Sequence, residues 1–186
     1  MRSVLPFDEL NIFVATLRTR FPNGKLPKKW EEFEDILDEM LDLFLLAYAT
    51  GNGVTNTSLQ SDWQPTLDDV MESVDRKVAG KTWRERAEEY FENEGSVEDL
   101  VRIAETESHR ISNESAYKTA VYGGATSKRW ATMLDDRVRD THTYLEGVTV
   151  GIHEDFYTYD GDHAPAPGMF SLPENNVNCR CELIFK

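Results

Sequence analysis

The feature that most constrains this 186-residue sequence is a long apolar stripe at helical spacing. Phe33, Ile36, Leu37, Met40, Leu41, Phe44 and Tyr48 recur every three or four residues, while Glu31, Glu32, Glu34, Asp35, Asp38, Glu39 and Asp42 fall mainly on the other side. Such a helix must pack against something, either the rest of the chain or a partner. Phe33, Leu37, Met40 and Phe44 are therefore candidate interface residues.

Shorter helices surround it. Leu10, Phe13, Val14 and Leu17 predict a helix over Asp8 to Arg20, which Phe21-Pro-Asn-Gly-Lys-Leu-Pro27 ends by removing donors and adding a flexible glycine. Thr66 can cap a helix carrying Leu67, Val70, Met71 and Val74, and a further helix spans Thr82 to Asn93 with Trp83, Ala87, Tyr90 and Phe91. Ser96 and Asp99 have the spacing of a capping pair and open a helix to about Val121. Trp130, Leu134, Val138 and Leu145 predict one more helix over Lys128 to Glu146, stopped by Gly147. Beyond it, Val148 to Ile152 and Cys181 to Phe185 alternate as short strands do, separated by a Pro/Gly/Asp-rich loop, Tyr157 to Pro173. The expected fold class is α+β: helices through the N-terminal two thirds, then a small C-terminal β-sheet module. The polar, glycine-punctuated stretch from Thr50 to Pro65 is the best break, and the chain divides into a helical extension or docking region, 1–80, and a second unit, 81–186.

Charge and composition exclude several classes. A net charge of −14 and a pI near 4.7, with no Lys/Arg cluster in either half, argue against a general nucleic-acid binder. No apolar run approaches the roughly 20 residues of a membrane-spanning helix. Two cysteines make no disulfide framework, and no hydrophobic leader follows Met1, so synthesis in the cytoplasm is expected.

Three motifs occur in order: Glu105-Thr-Glu107, then Trp130-Ala-Thr-Met-Leu-Asp135-Asp-Arg-Val-Arg139-Asp-Thr-His142, then Asn178-Cys-Arg-Cys181. With Lys81 to Arg86 as a helical lead-in, and with Gly147, Phe156 and Pro167-Gly168 between the last two, this set resembles the phage Mu F-like head-morphogenesis family over roughly 80–186. The resemblance implies a minor head protein, found in the capsid interior or at the portal. It would bind portal protein and major capsid or scaffold protein during assembly in the host cytoplasm, and would influence DNA packaging or ejection through a transient DNA contact. It also implies a motif core of Trp130, Asp135, Arg139, His142, Asn178 and Arg180. No toxin or enzyme domain is expected to follow the final strand.

The residues themselves carry two chemical readings. On the expected helix, Asp135, Arg139 and His142 would share one face, with Asp135 paired to Arg139. Cys179 and Cys181 would point to the same side of a strand, where they could meet His142 and hold a structural zinc, with Asp135 or His153 as fourth ligand. The alternative is a metal-free polar core with two small buried thiols. A bridge between Cys179 and Cys181 is disfavoured by geometry.

Other features read as structure. Glu105 and Glu107 point to different helix faces, which suits a salt-bridged glutamate better than an acid pair assisted by His109. Tyr159-Asp-Gly-Asp162 lacks calcium-loop spacing and is expected to be a solvated loop, and Gly123-Gly124 a hinge rather than a nucleotide loop. The leading functional expectation is therefore assembly without catalysis. The competing one is a nuclease using His142 as base and Arg139 or Arg180 to steady phosphate.

Overall fold

The computed structural model describes residues 7–186, with Phe7 described by its backbone alone; the expectation about a leader lies outside the described residues. Five helices come first: α1 (Phe7–Arg20), α2 (Trp30–Leu59), α3 (Leu67–Val74), α4 (Trp83–Glu92) and α5 (Val97–Tyr122). The rest comprises β1 (Ser127–Ala131), the single turn α6 (Asp140–Thr143), β2 (Thr149–Gly151), β3 (Phe156–Tyr157), β4 (His163–Ala164), α7 (Pro173–Asn176) and β5 (Glu182–Phe185). The arrangement is α+β, as the periodicity predicts.

The helix starts follow from side-chain chemistry. Thr66 and Asp69 at α3, and Thr82 and Glu85 at α4, exchange hydrogen bonds with each other's backbone N–H. Asp99 accepts from the Ser96 N–H at 2.9 Å before α5. Each pair satisfies orphan donors that the first helical turn leaves open.

The stripe on α2 is the chain's own core. Phe33, Leu37, Met40 and Phe44 are wholly buried, packed with Leu17 of α1, Trp83 of α4 and Leu100 and Ile103 of α5. Their expected role as an interface is thereby corrected: the surface they were thought to offer to a partner is taken by α1, α4 and α5. Phe33 stacks on Phe91 at 4.4 Å between centroids, and Phe44 meets Trp83 edge-on at 5.1 Å.

The expected break after Thr50 is also corrected, because α2 runs on to Leu59. Gly51, Asn52, Thr55 and Asn56 are buried there against α5. A Cβ at Gly51 would lie 2.2 Å from the Ser112 carbonyl oxygen, so glycine is what lets the two helices touch backbone to backbone. Asn52 Nδ2 donates to Thr119 Oγ1 at 3.0 Å, and Asn56 Nδ2 to the Trp63 carbonyl at 2.7 Å. Small and amide residues that look like a loop thus form a polar helix–helix seam.

A third correction concerns Lys128 to Glu146, which is not one helix. Lys128 and Trp130 are buried on either side of exposed Arg129, the period of a strand. β1 is the centre of an antiparallel sheet of order β2-β1-β5, with Trp130 opposite Leu183 and Arg129 opposite Thr149. Leu134, expected on the buried stripe, is 66% exposed and has φ of 56°, a left-handed backbone that no helix continues. β2 and β5 lie where alternation places them, while β3 and β4 form a two-residue ladder reaching into the loop expected to be irregular.

Candidate functional site

The motif residues converge beneath α5. Trp130 on β1 fills the core of the sheet module, its ring 5.1 Å from Phe156, 5.9 Å from Phe170 and 5.3 Å from His142 by centroids. His142 is carried by α6. Asn178, with φ of 57°, turns the chain after α7 while its N–H donates to Thr106 Oγ1 of α5 at 3.2 Å. The Cys181 carbonyl accepts from Asn113 Nδ2 of α5 at 3.0 Å. So anchored, the segment presents both thiols to the imidazole: Cys179 Sγ lies 3.6 Å and Cys181 Sγ 3.5 Å from His142 Nδ1. All three side chains are buried, His142 to 1% exposure.

The electrostatics of the two thiols are unequal. Cys181 donates toward Cys179, which pulls the Cys179 thiol well below the ordinary range despite burial, with His142 adding to the effect. The same bond, burial and the charge of Cys179 push Cys181 up. One proton leaves this pair easily and the second is held.

The remaining motif residues are close by but paired differently from expectation. Asp135 does not face Arg139: with no helix between them, Asp135 forms a two-pronged ion pair with Arg180 at 2.7 and 2.9 Å. Arg139 instead donates to the carbonyls of Glu174 and Val177. Neither Asp135 nor His153 joins the His142, Cys179, Cys181 group. Beside it opens a cleft of about 780 Å³ whose lining mixes charges, including Glu105, His109, Arg137, Arg139, Glu174 and Arg180.

Glu107 is wholly buried and salt-bridged to Arg86 and Arg110, while Glu105 faces the cleft. His109 is buried, and burial pushes its pKa down to about 4.

Sequence reasoning missed three features. Arg110 lies between two buried carboxylates, Nε to Glu107 at 2.6 Å and Nη1 to Glu114 at 2.9 Å, and Arg76, just past the end of α3, grips Glu114. The spacing of Glu107, Arg110 and Glu114 along one face of α5 was the available signal. Asp162 is buried, not solvated: it accepts from Ser171 N and Oγ, Leu172 N and Asn175 Nδ2 at 2.6–3.1 Å. Burial alone would raise its pKa, but these donors lower it to about 2. Lys128 is buried with Nζ 4.3 Å from the Tyr117 ring centroid, and burial lowers it to about 8. Nothing local in the sequence marks either residue.

Pro167-Gly168 acquires a reason as well. Gly168 has φ of 82°, and a Cβ there would stand 2.9 Å from Cβ of Arg110. The loop is pressed onto α5 where the buried ion network sits.

A helix layer that buries an ionic seam, joined to a small sheet whose distinctive side chains bond one another, defines an α+β structural module. The chain belongs to the family of phage Mu protein F like proteins, whose model matches residues 46–184. The match begins within α2, well before the motifs start. Among curated relatives, the chain is similar to the NAD(+)--arginine ADP-ribosyltransferase EFV of Enterococcus faecalis (strain ATCC 700802 / V583), 36% identical over 97 residues, covering 50% of this chain and 20% of that protein. It is also similar to the minor head protein GP7 of Bacillus phage SPP1, 32% identical over 85 residues, covering 44% of this chain and 28% of that protein. The chain thus spans less than a third of the length of either relative. No solved structure matches it.

Proposed function

We propose that this chain is a minor head protein of a tailed bacteriophage or prophage, carried in the virion, which acts in head morphogenesis by binding portal protein and major capsid or scaffold protein. The observation that carries the reading is the family match over residues 46–184, with a phage minor head protein among the relatives. The segment shared with the transferase is only a fifth of that enzyme's length, so its name lends little to this chain.

The geometry favours assembly over catalysis. A nuclease base must reach a water or hydroxyl and a phosphate. His142 is buried with Nδ1 facing two sulfurs, and Arg139 and Arg180 are engaged by carbonyls and by Asp135. Influence on DNA packaging or ejection would then pass through a transient contact rather than a general basic surface, given the charge of −14.

The test is co-expression with the neighbouring portal and capsid genes, followed by purification and mass analysis of complexes and finished particles. Recovery with portal or capsid, and in particles, is expected. Absence from both would overturn the assembly role. DNA or RNA cleavage that disappears in a folded His142→Ala variant would put the nuclease in its place.

A further inference from the structure

The His142, Cys179 and Cys181 cluster is organised for more than packing. Their three ligand atoms lie within 4.8 Å of one another, and all three residues are buried. Two ligands on a tetrahedral zinc, one sulfur at about 2.3 Å and one imidazole nitrogen at about 2.05 Å, stand about 3.6 Å apart. The N···S separations here are 3.6 and 3.5 Å. A linear hydrogen bond accounts for only one of them, since Nδ1 offers either one lone pair to a thiol or one proton to a sulfur, according to its tautomer. A cation between the three atoms accounts for both.

The surroundings supply what a fourth position needs. A cavity of about 10 Å³, lined by Met133, Arg137, Val138, Arg139, Asn178 and Arg180 together with the three candidate ligands, adjoins the cluster. That is room for about one water molecule. Asp135, held by Arg180, and His153, exposed, are not positioned to fill it. Two thiolates and a dication make a neutral unit, which burial penalises little, and soft sulfur with imidazole suits zinc.

We propose that His142 Nδ1 and the Sγ atoms of Cys179 and Cys181 bind zinc(II), with a water in the adjoining cavity as fourth ligand. The site ties α6 to the segment entering β5. No oxidation is involved: two S–H bonds give two Zn–S bonds and release their protons to solvent. The site stands independently of the head-assembly reading.

The full chain, purified without added chelator, is expected to carry stoichiometric zinc by elemental analysis. Exchange for cobalt(II) should give thiolate-to-metal charge transfer in the near ultraviolet and the intense visible bands of four-coordinate cobalt. The charge-transfer band should weaken in Cys179→Ser and vanish in the Cys179→Ser, Cys181→Ser double variant. Circular dichroism of each variant separates ligand loss from unfolding, and the wild-type cobalt spectrum needs no variant at all. Wild-type chain that holds neither zinc nor cobalt while both thiols titrate as free, or a cobalt spectrum unchanged in the folded double variant, would overturn the site.

Discussion

Two buried carboxylate sites show how differently charged residues act in this molecule. Arg110, 1% exposed, separates Glu107 and Glu114, and its removal would leave two buried carboxylates with part of their compensation gone. Arg110→Ala is expected to cost about 4 kcal/mol, measurable by urea denaturation, because breaking a buried pair strands charge rather than merely deleting an attraction. Asp162 makes a pH-dependent contribution. Its folded pKa of about 2 lies below the ordinary 3.8, so the stabilisation is fully present above about pH 4 and is lost as pH falls through about 2. The shift amounts to about 2 kcal/mol. Asp162→Asn should be less stable at neutral pH and should flatten the acid limb of the stability profile between pH 4 and 2; an unchanged limb would show that Asp162 is not the group responsible. The Asp135–Arg180 pair was partly legible as motif residues, but its pairing was not, because helical spacing suggests Arg139 and only the fold brings Arg180 across.

At the scale of elements, the contrast between Gly51 and Gly53 isolates what packing decides. Replacing a helical glycine with alanine ordinarily stabilises by about 1 kcal/mol. At Gly53, where a Cβ meets nothing within 4 Å, that gain is expected. At Gly51 the same methyl would strike the Ser112 carbonyl, and forcing α2 and α5 apart should cost about 3 kcal/mol instead. Thermal melts of the two single variants should therefore move in opposite directions. In sequence the two glycines look alike, and both suggested a break, because glycine's role depends on a neighbour that lies some sixty residues away along the chain. α3, α4 and α5 were legible because their capping pairs are local. β1 was not: its partner strand β5 lies far along the chain, and the four-residue recurrence of Trp130, Leu134 and Val138, followed by Leu145, imitated a helix.

For the whole molecule, the two larger hydrophobic cores among the described residues are joined through α5. One contains Trp83 and the other Trp130, while α5 carries the ion network, the Asn113 bond to Cys181 and the contact beneath Gly168. The cores should therefore unfold together. Single-tryptophan variants reporting from Trp83 and Trp130 are expected to give coincident denaturation midpoints; separated midpoints would show that the helical part and the sheet module are independent units. The expected division at residue 80 is best posed as this experiment.

By itself the sequence determined the α+β class, the first five helices, three of them with capped starts, the two outer strands, and the motif order that places the chain among phage Mu protein F like proteins. These rest on periodicity, on side chains that bond backbone a few residues away, and on residues kept in order. The tertiary structure decided the rest: that the α2 stripe is core, that α2 continues through its glycines, that Trp130 sits on a strand, and that Arg180 rather than Arg139 answers Asp135. It also decided that one imidazole meets two thiols at ligand spacing. Each depends on a contact between segments far apart in the chain, where the energy comes from burial and pairing that no local window contains.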